Sequence, residues 1–252
     1  MRNVVGIFGL FLSLLLLAYL VYSQRKLAKR INSLANQMSK EIKGQGAAIR
    51  NELGHQYHQV EALEQLLPIL KLSSTLPPSR GWAASPDFLL TLSSIVRKKK
   101  PKFVLELGSG LSTLVSAKSG AKKIISLDHS IEFGEATREM LKEHKVTGAQ
   151  IRINELLTYP GGYKWYSPEA LIGIKNIDLL VIDGPPSSTN PDARYPALEH
   201  LLPLLSKRAT VILDDADRED EKKLAHAFAA AMPSHKLTFL HHEKGTAVIS
   251  PL

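Results

Sequence analysis

Between residues 103 and 213 the sequence repeats one unit: a short apolar run, a polar or glycine-bearing turn, and a stretch of helical periodicity. The runs are residues 103–107 (FVLEL), 123–127 (KIISL), 150–156 (QIRINEL), 178–182 (DLLVI) and 210–213 (TVIL). Short, near-continuous apolar runs mark strands buried on both faces. Parallel strands need long crossovers, and the helical stretches supply them. The chain is therefore expected to be α/β, with a Rossmann-like, mostly parallel sheet covered by helices on both sides. Helices are expected over about 111–119, after a Ser130 cap with Ile131, Phe133, Met140 and Leu141 on the apolar side, over about 193–205, and over 220–231. Residues 236–241 and 246–250, joined through Glu243-Lys244-Gly245, read as a hairpin. Ordinary nucleotide-binding sheets end with another parallel strand, so this antiparallel close is informative.

The amino terminus follows a different rule. Residues 4–22 carry no charge over 19 positions, and 13 of them are Val, Ile, Leu or Phe. As a helix they reach about 28 Å, close to the ~30 Å hydrocarbon core of a bilayer. A signal peptide has an apolar region of about 7–15 residues closed by small residues. This run is longer and ends near Tyr19 and Tyr22, so residues 1–23 are expected to be an uncleaved transmembrane anchor. Arg2 precedes the span, whereas Arg25, Lys26, Lys29 and Arg30 follow at once, with Lys40 and Lys43 beyond. The positive-inside rule then puts the bulk of the chain in the cytoplasm, its cationic collar against anionic headgroups of the lipid bilayer. Residues 24–79 read as a helical stalk and linker. Leu27, Ile31, Leu34 and Met38 recur at helical spacing; Gly44 and Gly46 interrupt; Ile49, Leu53, Val60, Leu63, Leu67 and Leu70 resume it. The stalk either leans on membrane or domain, or pairs as a short coiled coil in a homodimer. Fewer than two clean heptads precede the glycines, which favours the first. Leu76-Pro77-Pro78-Ser79 ends it.

The 32 Lys and Arg against 24 Asp and Glu suggest a nucleic-acid partner until they are divided. Residues 1–79 hold 9 basic and 4 acidic groups, leaving 23 and 20 in residues 80–252, so no nucleic acid is expected as partner. The absence of cysteine excludes a disulfide scaffold, a thiolate zinc site and a cysteine nucleophile.

Ligands of open α/β sheets bind at the carboxyl ends of the strands. Gly108-Ser109-Gly110, Asp128, Asn154-Glu155, Asp183 and Asp214-Asp215 all fall at such ends. The turn over residues 106–113 (ELGSGLST) joins strand to helix, and its glycines let backbone N–H groups approach a ligand. Asp128 lies 22 residues beyond Glu106, placed for ribose hydroxyls. Thr113 stands where the dinucleotide pattern has its third glycine, which makes a pyrophosphate the poorer guest and points to another adenosine-containing cofactor. Asp183 and Asp214-Asp215, at the ends of adjacent expected strands, could converge on one oxygen-rich Mg²⁺, or Asp214 or Asp215 caps the next helix. His129 is a candidate cofactor contact or base. Arg194 and Tyr195, after a flexible loop over residues 185–192, either orient an acceptor or pack; Trp82 is a candidate lid residue. His241-His242 and the basic run at residues 97–100 read as surface.

VLELGSGLST, followed by ISLDHS, IDLLVIDGPP and TVILDDADR, resembles the class I S-adenosylmethionine-dependent methyltransferases, with the small-molecule O-methyltransferase-like bacterial proteins as the nearest group. The similarity covers about residues 81–252 and implies a seven-stranded sheet closed by a reversed hairpin. It implies Glu106 near the methionine amino group, and the Gly108, Ser109, Gly110 turn around the methionine moiety, with Ser112 where a further glycine is common. It also implies Asp128 on the ribose and Asn154-Glu155-Leu156 beside the adenine; Asp183 is a further candidate for catalysis and for cofactor binding. Catechol- and caffeoyl-CoA-type O-methyltransferases place metal-binding acids at the two strand ends that carry Asp183 and Asp215, but Ala216 stands where an Asn ligand is usual. The chain is accordingly expected to be a single-pass protein of the bacterial inner membrane, with residues 80–252 as a methyltransferase domain in the cytoplasm. Its S-adenosylmethionine would methylate a small-molecule, lipid-linked or glycan acceptor, at a hydroxyl. Two other readings stay open: a non-catalytic membrane scaffold with a degenerate fold, and an NAD-dependent oxidoreductase, which the missing third glycine and the terminal hairpin disfavour.

Overall fold

The computed structural model describes residues 2–79 and 81–252, with side chains described from Ile7 onward. The Arg2 side chain of the expected cationic flank, and Arg80 at the expected domain start, lie outside the described residues. The first helix, α1, is Arg2–Leu70, unbroken through Gly44, Gly46 and Pro68. The interruption expected at the glycines is absent: each costs only ~1 kcal/mol in a helix interior, too little to break a long run of good helix formers.

The chain forms two compact units, Met1–Gln56 and Tyr57–Leu252. In the first, the apolar side chains from Ile7 to Leu17 stand exposed, Phe8 at 70% and Leu16 at 63%. This helix is long and apolar enough to cross a membrane.

The second unit opens with the last turns of α1. Leu66 and Leu70 are buried there in one cluster with Phe88, Leu89, Leu92 and Val96 of α2, Pro86–Lys99. The chain then runs β1 (Val104–Leu107), α3 (Leu111–Lys118), β2 (Ile124–Asp128), α4 (Ile131–Glu143) and β3 (Ala149–Ile153). A small hairpin follows, β4 (Leu156–Thr158) and β5 (Lys164–Tyr166). The remainder is β6 (Ile177–Ile182), α5 (Pro196–Leu201), β7 (Leu205–Asp214), α6 (Glu219–Ala231), β8 (His235–Leu240) and β9 (Thr246–Pro251). The main sheet has seven strands in the order β3-β2-β1-β6-β7-β9-β8. All its pairings are parallel except those of β9, which runs antiparallel to both β7 and β8.

Register decides where a site can form. Leu107 pairs with Leu127 on one side and Ile182 on the other, and Ile182 pairs with Leu213. The residues just beyond these pairs, Gly108, Asp128, Asp183 and Asp214, therefore lie along one rim of the sheet. Strand order reverses between β1 and β6, which is where an open sheet of this kind has its ligand crevice.

Two local expectations need correcting. The run at 150–156 is not one strand: Asn154 donates its amide to the Asp128 carbonyl at 2.8 Å, the main ladder stops, and Leu156 begins the separate β4–β5 hairpin. On α4 the buried residues are Gly134, Thr137 and Leu141, while Ile131 and Phe133 are 66% and 49% exposed. The helix meets the sheet through Gly134, where a Cβ would fall 2.6 Å from Ile153, so close approach at the small residue turns the bulky ones outward. Ser130 caps α4 as expected, accepting from the Phe133 amide at 3.3 Å.

Candidate active site

The turn after β1 is shaped by close backbone approach. Gly108 sits at φ +86°, and a side chain there would lie 3.1 Å from the Asp183 carbonyl. Opposite it, a side chain on Gly184 would meet the Gly108 nitrogen and the Tyr166 hydroxyl at 3.0 Å. The turns leaving β1 and β6 thus touch through two glycines at the switch point. At Gly110, by contrast, the space a Cβ would take is open, with no atom of the described residues within 4 Å.

Beneath this turn Glu106 is 1% exposed. One carboxylate oxygen accepts from the Thr113 hydroxyl; the other, Oε1, has no hydrogen-bond partner among the described residues. Burial pushes this carboxyl up to about 7, against the pull of the Ser112, Thr113 and Ser126 hydroxyls. Asp128 is also buried, and its carboxylate is engaged by the protein. It accepts from the Ser109 amide at 2.9 Å, the Ser109 hydroxyl at 2.5 Å and the Ser130 amide at 2.9 Å. Asp128 therefore ties the glycine turn to the start of α4 before any ligand is considered. His129 is 33% exposed, its Nδ1 3.8 Å from Asp128 Oδ1. Glu155 is exposed, between β3 and β4. Glu106, Gly108, Ser109, Gly110, Ser112 and Asp128 are thus one neighbourhood, with His129 and Glu155 at its edge.

The acids after β6 and β7 form a second cluster. Asp183 keeps part of its carboxylate exposed; burial pushes it up to about 7, Arg194 pulls it down and Asp215 adds to the rise. Asp214 is buried with Oδ1 on the Asp215 amide at 2.9 Å and Oδ2 without a partner among the described residues. Burial, then Asp183 and Asp215, raise it well above the ordinary carboxylate range. Asp215, at φ +60°, accepts from Arg194 at 2.8 Å and pairs with Arg218 at 3.0 Å.

Arg194, read as orienting an acceptor or packing, is 5% exposed and directed at the protein's own acids, which is the packing alternative. This also bears on Mg²⁺. Asp183 and Asp215 share a guanidinium, Asp214 is turned toward its neighbour's amide, and no three Asp, Glu or His among the described residues converge as metal ligands. The residues present do not fit a divalent ion.

Two candidates remain. Trp82 is 76% exposed. Tyr195 lines a cavity of about 500 Å³ between the β4–β5 hairpin and α5, with Tyr163, Asp192 and Leu198. Lys223 lies over its ring at 4.9 Å.

Several participants escape a linear reading. Tyr166 is fully buried with its hydroxyl against Gly184 and without a partner among the described residues; its only trace in sequence is an aromatic pair after Gly161-Gly162. Arg218 and Glu221 complete the acid cluster, yet in sequence they look like the ordinary charged first turn of a helix. His242 is half-buried, not surface, contacting Thr91 at 3.2 Å and Thr246 at 2.8 Å. Asp87 nearby takes hydrogen bonds from Gln59 and from the Glu243 amide, fastening the end of α1 and the start of α2 to the β8–β9 turn.

Comparison with known proteins agrees with this geometry. Residues 105–216 match a family model described as a methyltransferase domain. No curated protein matches the chain. Among solved structures, a methyltransferase from Podospora anserina bound to S-adenosylhomocysteine superposes with a TM-score of 0.53 at 19% identity, covering 77% of this chain and 87% of that one. An O-methyltransferase from Bacillus cereus in complex with S-adenosylhomocysteine gives 0.51 at 18%, covering 75% and 90%. A methyltransferase from Geobacter sulfurreducens gives 0.51 at 18%, covering 77% and 89%. Residues 105–216 thus resemble a methyltransferase domain, and the superpositions show that the chain shares the fold of these solved methyltransferases.

Proposed function

We propose that the protein is a membrane-anchored methyltransferase that moves the methyl group of S-adenosylmethionine to a hydroxyl of a small-molecule or lipid-linked acceptor. The observation that carries this is Glu106: a buried carboxyl under a glycine turn, one oxygen unpartnered, with open space above Gly110. A buried acceptor atom without a donor is costly unless a ligand supplies one, and an ammonium would. The residues present fit the cofactor on that ground. S-adenosylmethionine supplies a methyl group on a sulfonium, open to in-line attack. Glu106 would hold its amino group, the Gly108–Gly110 backbone would cradle the methionine portion, and Asp128 would border the ribose side while keeping Ser109 in place.

Asp183 is the group best suited to take a proton from the acceptor. It stands at the rim beside the glycine turn, retains access to solvent, and titrates near neutrality, which is where a general base works best. Oxygen as the methylated atom is supported by the O-methyltransferase among the superposed structures. The anchor is supported by the uncharged apolar run at residues 4–22 and the cations that follow it. The same flank supports a cytoplasmic domain.

The test is to add purified full-length protein and methyl-labelled S-adenosylmethionine to membranes and small-molecule extracts of cells lacking the protein. Label is expected to enter one soluble or lipid fraction with the wild type and not with Asp183→Asn. Equal labelling of every fraction with and without the protein would refute the proposal.

A further inference from the structure

The Arg194 guanidinium lies between acids that belong to three different elements. Its Nη2 reaches Asp215 Oδ2 at 2.8 Å and Asp183 Oδ1 at 3.3 Å, and its Nε lies 3.7 Å from Glu221 Oε1 of α6. It also donates to three main-chain carbonyls, those of Asp214 at 3.0 Å, Asp183 at 3.1 Å and Pro185 at 3.4 Å. A guanidinium has five N–H donors in a rigid fork and does not lose its charge; here those donors are directed at the exits of β6 and β7 together. Burial alone would weaken the charge, but Asp183, Asp215, Glu221 and Asp214 around it more than restore it.

A divalent cation binding Asp183 and Asp215 would need their oxygens at roughly 2.0–2.6 Å. Asp215 Oδ2 already carries Arg194 and Arg218, and Asp214, the other acid at that strand end, has Oδ1 on a backbone amide and Oδ2 fully buried. Ala216, with no donor at all, follows. We propose that Arg194 is the built-in cation of this rim: it takes the place of a divalent metal between the β6 and β7 exits, and the protein needs none. The inference rests on the chain's own side chains and holds whichever acceptor is methylated.

The experiment uses the full chain in detergent micelles, with Mn²⁺ as probe. Free Mn²⁺ is followed by electron paramagnetic resonance, and thermal unfolding is recorded with and without EDTA. For the wild type the account expects no saturable Mn²⁺ binding and one melting temperature in both buffers. Arg194→Ala is expected to melt roughly 10 °C lower, to take up one Mn²⁺ per chain, and to recover part of the loss when Mn²⁺ is added. One-to-one depletion of free Mn²⁺ by the wild type, or a drop in its melting temperature on EDTA treatment, would overturn the proposal. So would a folded Arg194→Ala that gains no Mn²⁺ affinity. If Arg194→Ala does not fold, the wild-type titration and its EDTA control decide alone.

Discussion

Burial keeps a carboxyl protonated to higher pH, and both Glu106, with no cation beside it among the described residues, and Asp183, despite Arg194, titrate near 7 in the folded chain. Their unfolded values lie near 4. Between those limits the folded state holds more protons than the unfolded one, so the ligand-free protein is expected to lose stability as pH rises from about 4 through 7 and to level off above. Urea unfolding at pH 5.5 and 8 checks this: the midpoint should be lower at pH 8, and Glu106→Gln should shrink the difference. Asp183→Asn is expected to slow methyl transfer by roughly 10²–10⁴-fold while leaving S-adenosylhomocysteine affinity within a few-fold of wild type. A parallel fall in affinity would mean that Asp183 serves the cofactor instead. The acids themselves were legible in sequence, because each follows an apolar run. Arg194 as their partner was not: its pairing depends on how the chain returns from β6 to α5, and no periodicity encodes that.

At the scale of elements the strands were readable, since a fully buried parallel strand is a plain apolar run. The β4–β5 hairpin was not, because its three-residue strands are too short to show alternation and Trp165 and Tyr166 could as well have been core residues of a loop. The touch between the β1 and β6 turns gives a sharper prediction. Gly108→Ala must hold an alanine at φ +86° with its Cβ 3.1 Å from the Asp183 carbonyl, and is expected to cost about 1–3 kcal/mol in chemical denaturation. The same substitution at Gly110, which faces open space, is expected to disturb ligand affinity more than stability. The end of α1 belongs energetically to the second unit: Leu66 is fully buried among α2 side chains, so Leu66→Ala should cost about 2–5 kcal/mol. A fragment starting at Tyr57 should melt higher than one starting at Leu72.

For the whole molecule, the exposed apolar side chains of residues 7–17 belong to the first unit and the candidate site to the second. Deleting residues 2–22 is expected to move the protein from the carbonate-resistant membrane fraction to the soluble one without abolishing cofactor binding; a full-length protein that is already soluble would remove the anchor. Calorimetric titration of S-adenosylhomocysteine into the full chain at pH 6 and pH 8 tests the proposed S-adenosylmethionine site, the β1 turn with Glu106 beneath it. One site per chain is expected, binding several-fold tighter at pH 8, where Glu106 is ionised and can meet the ligand's ammonium. Glu106→Gln is expected to show an affinity at pH 8 reduced roughly ten- to hundredfold and a much smaller pH effect. No saturable heat from the wild type at either pH, or a Glu106→Gln titration that overlays it, would contradict the account.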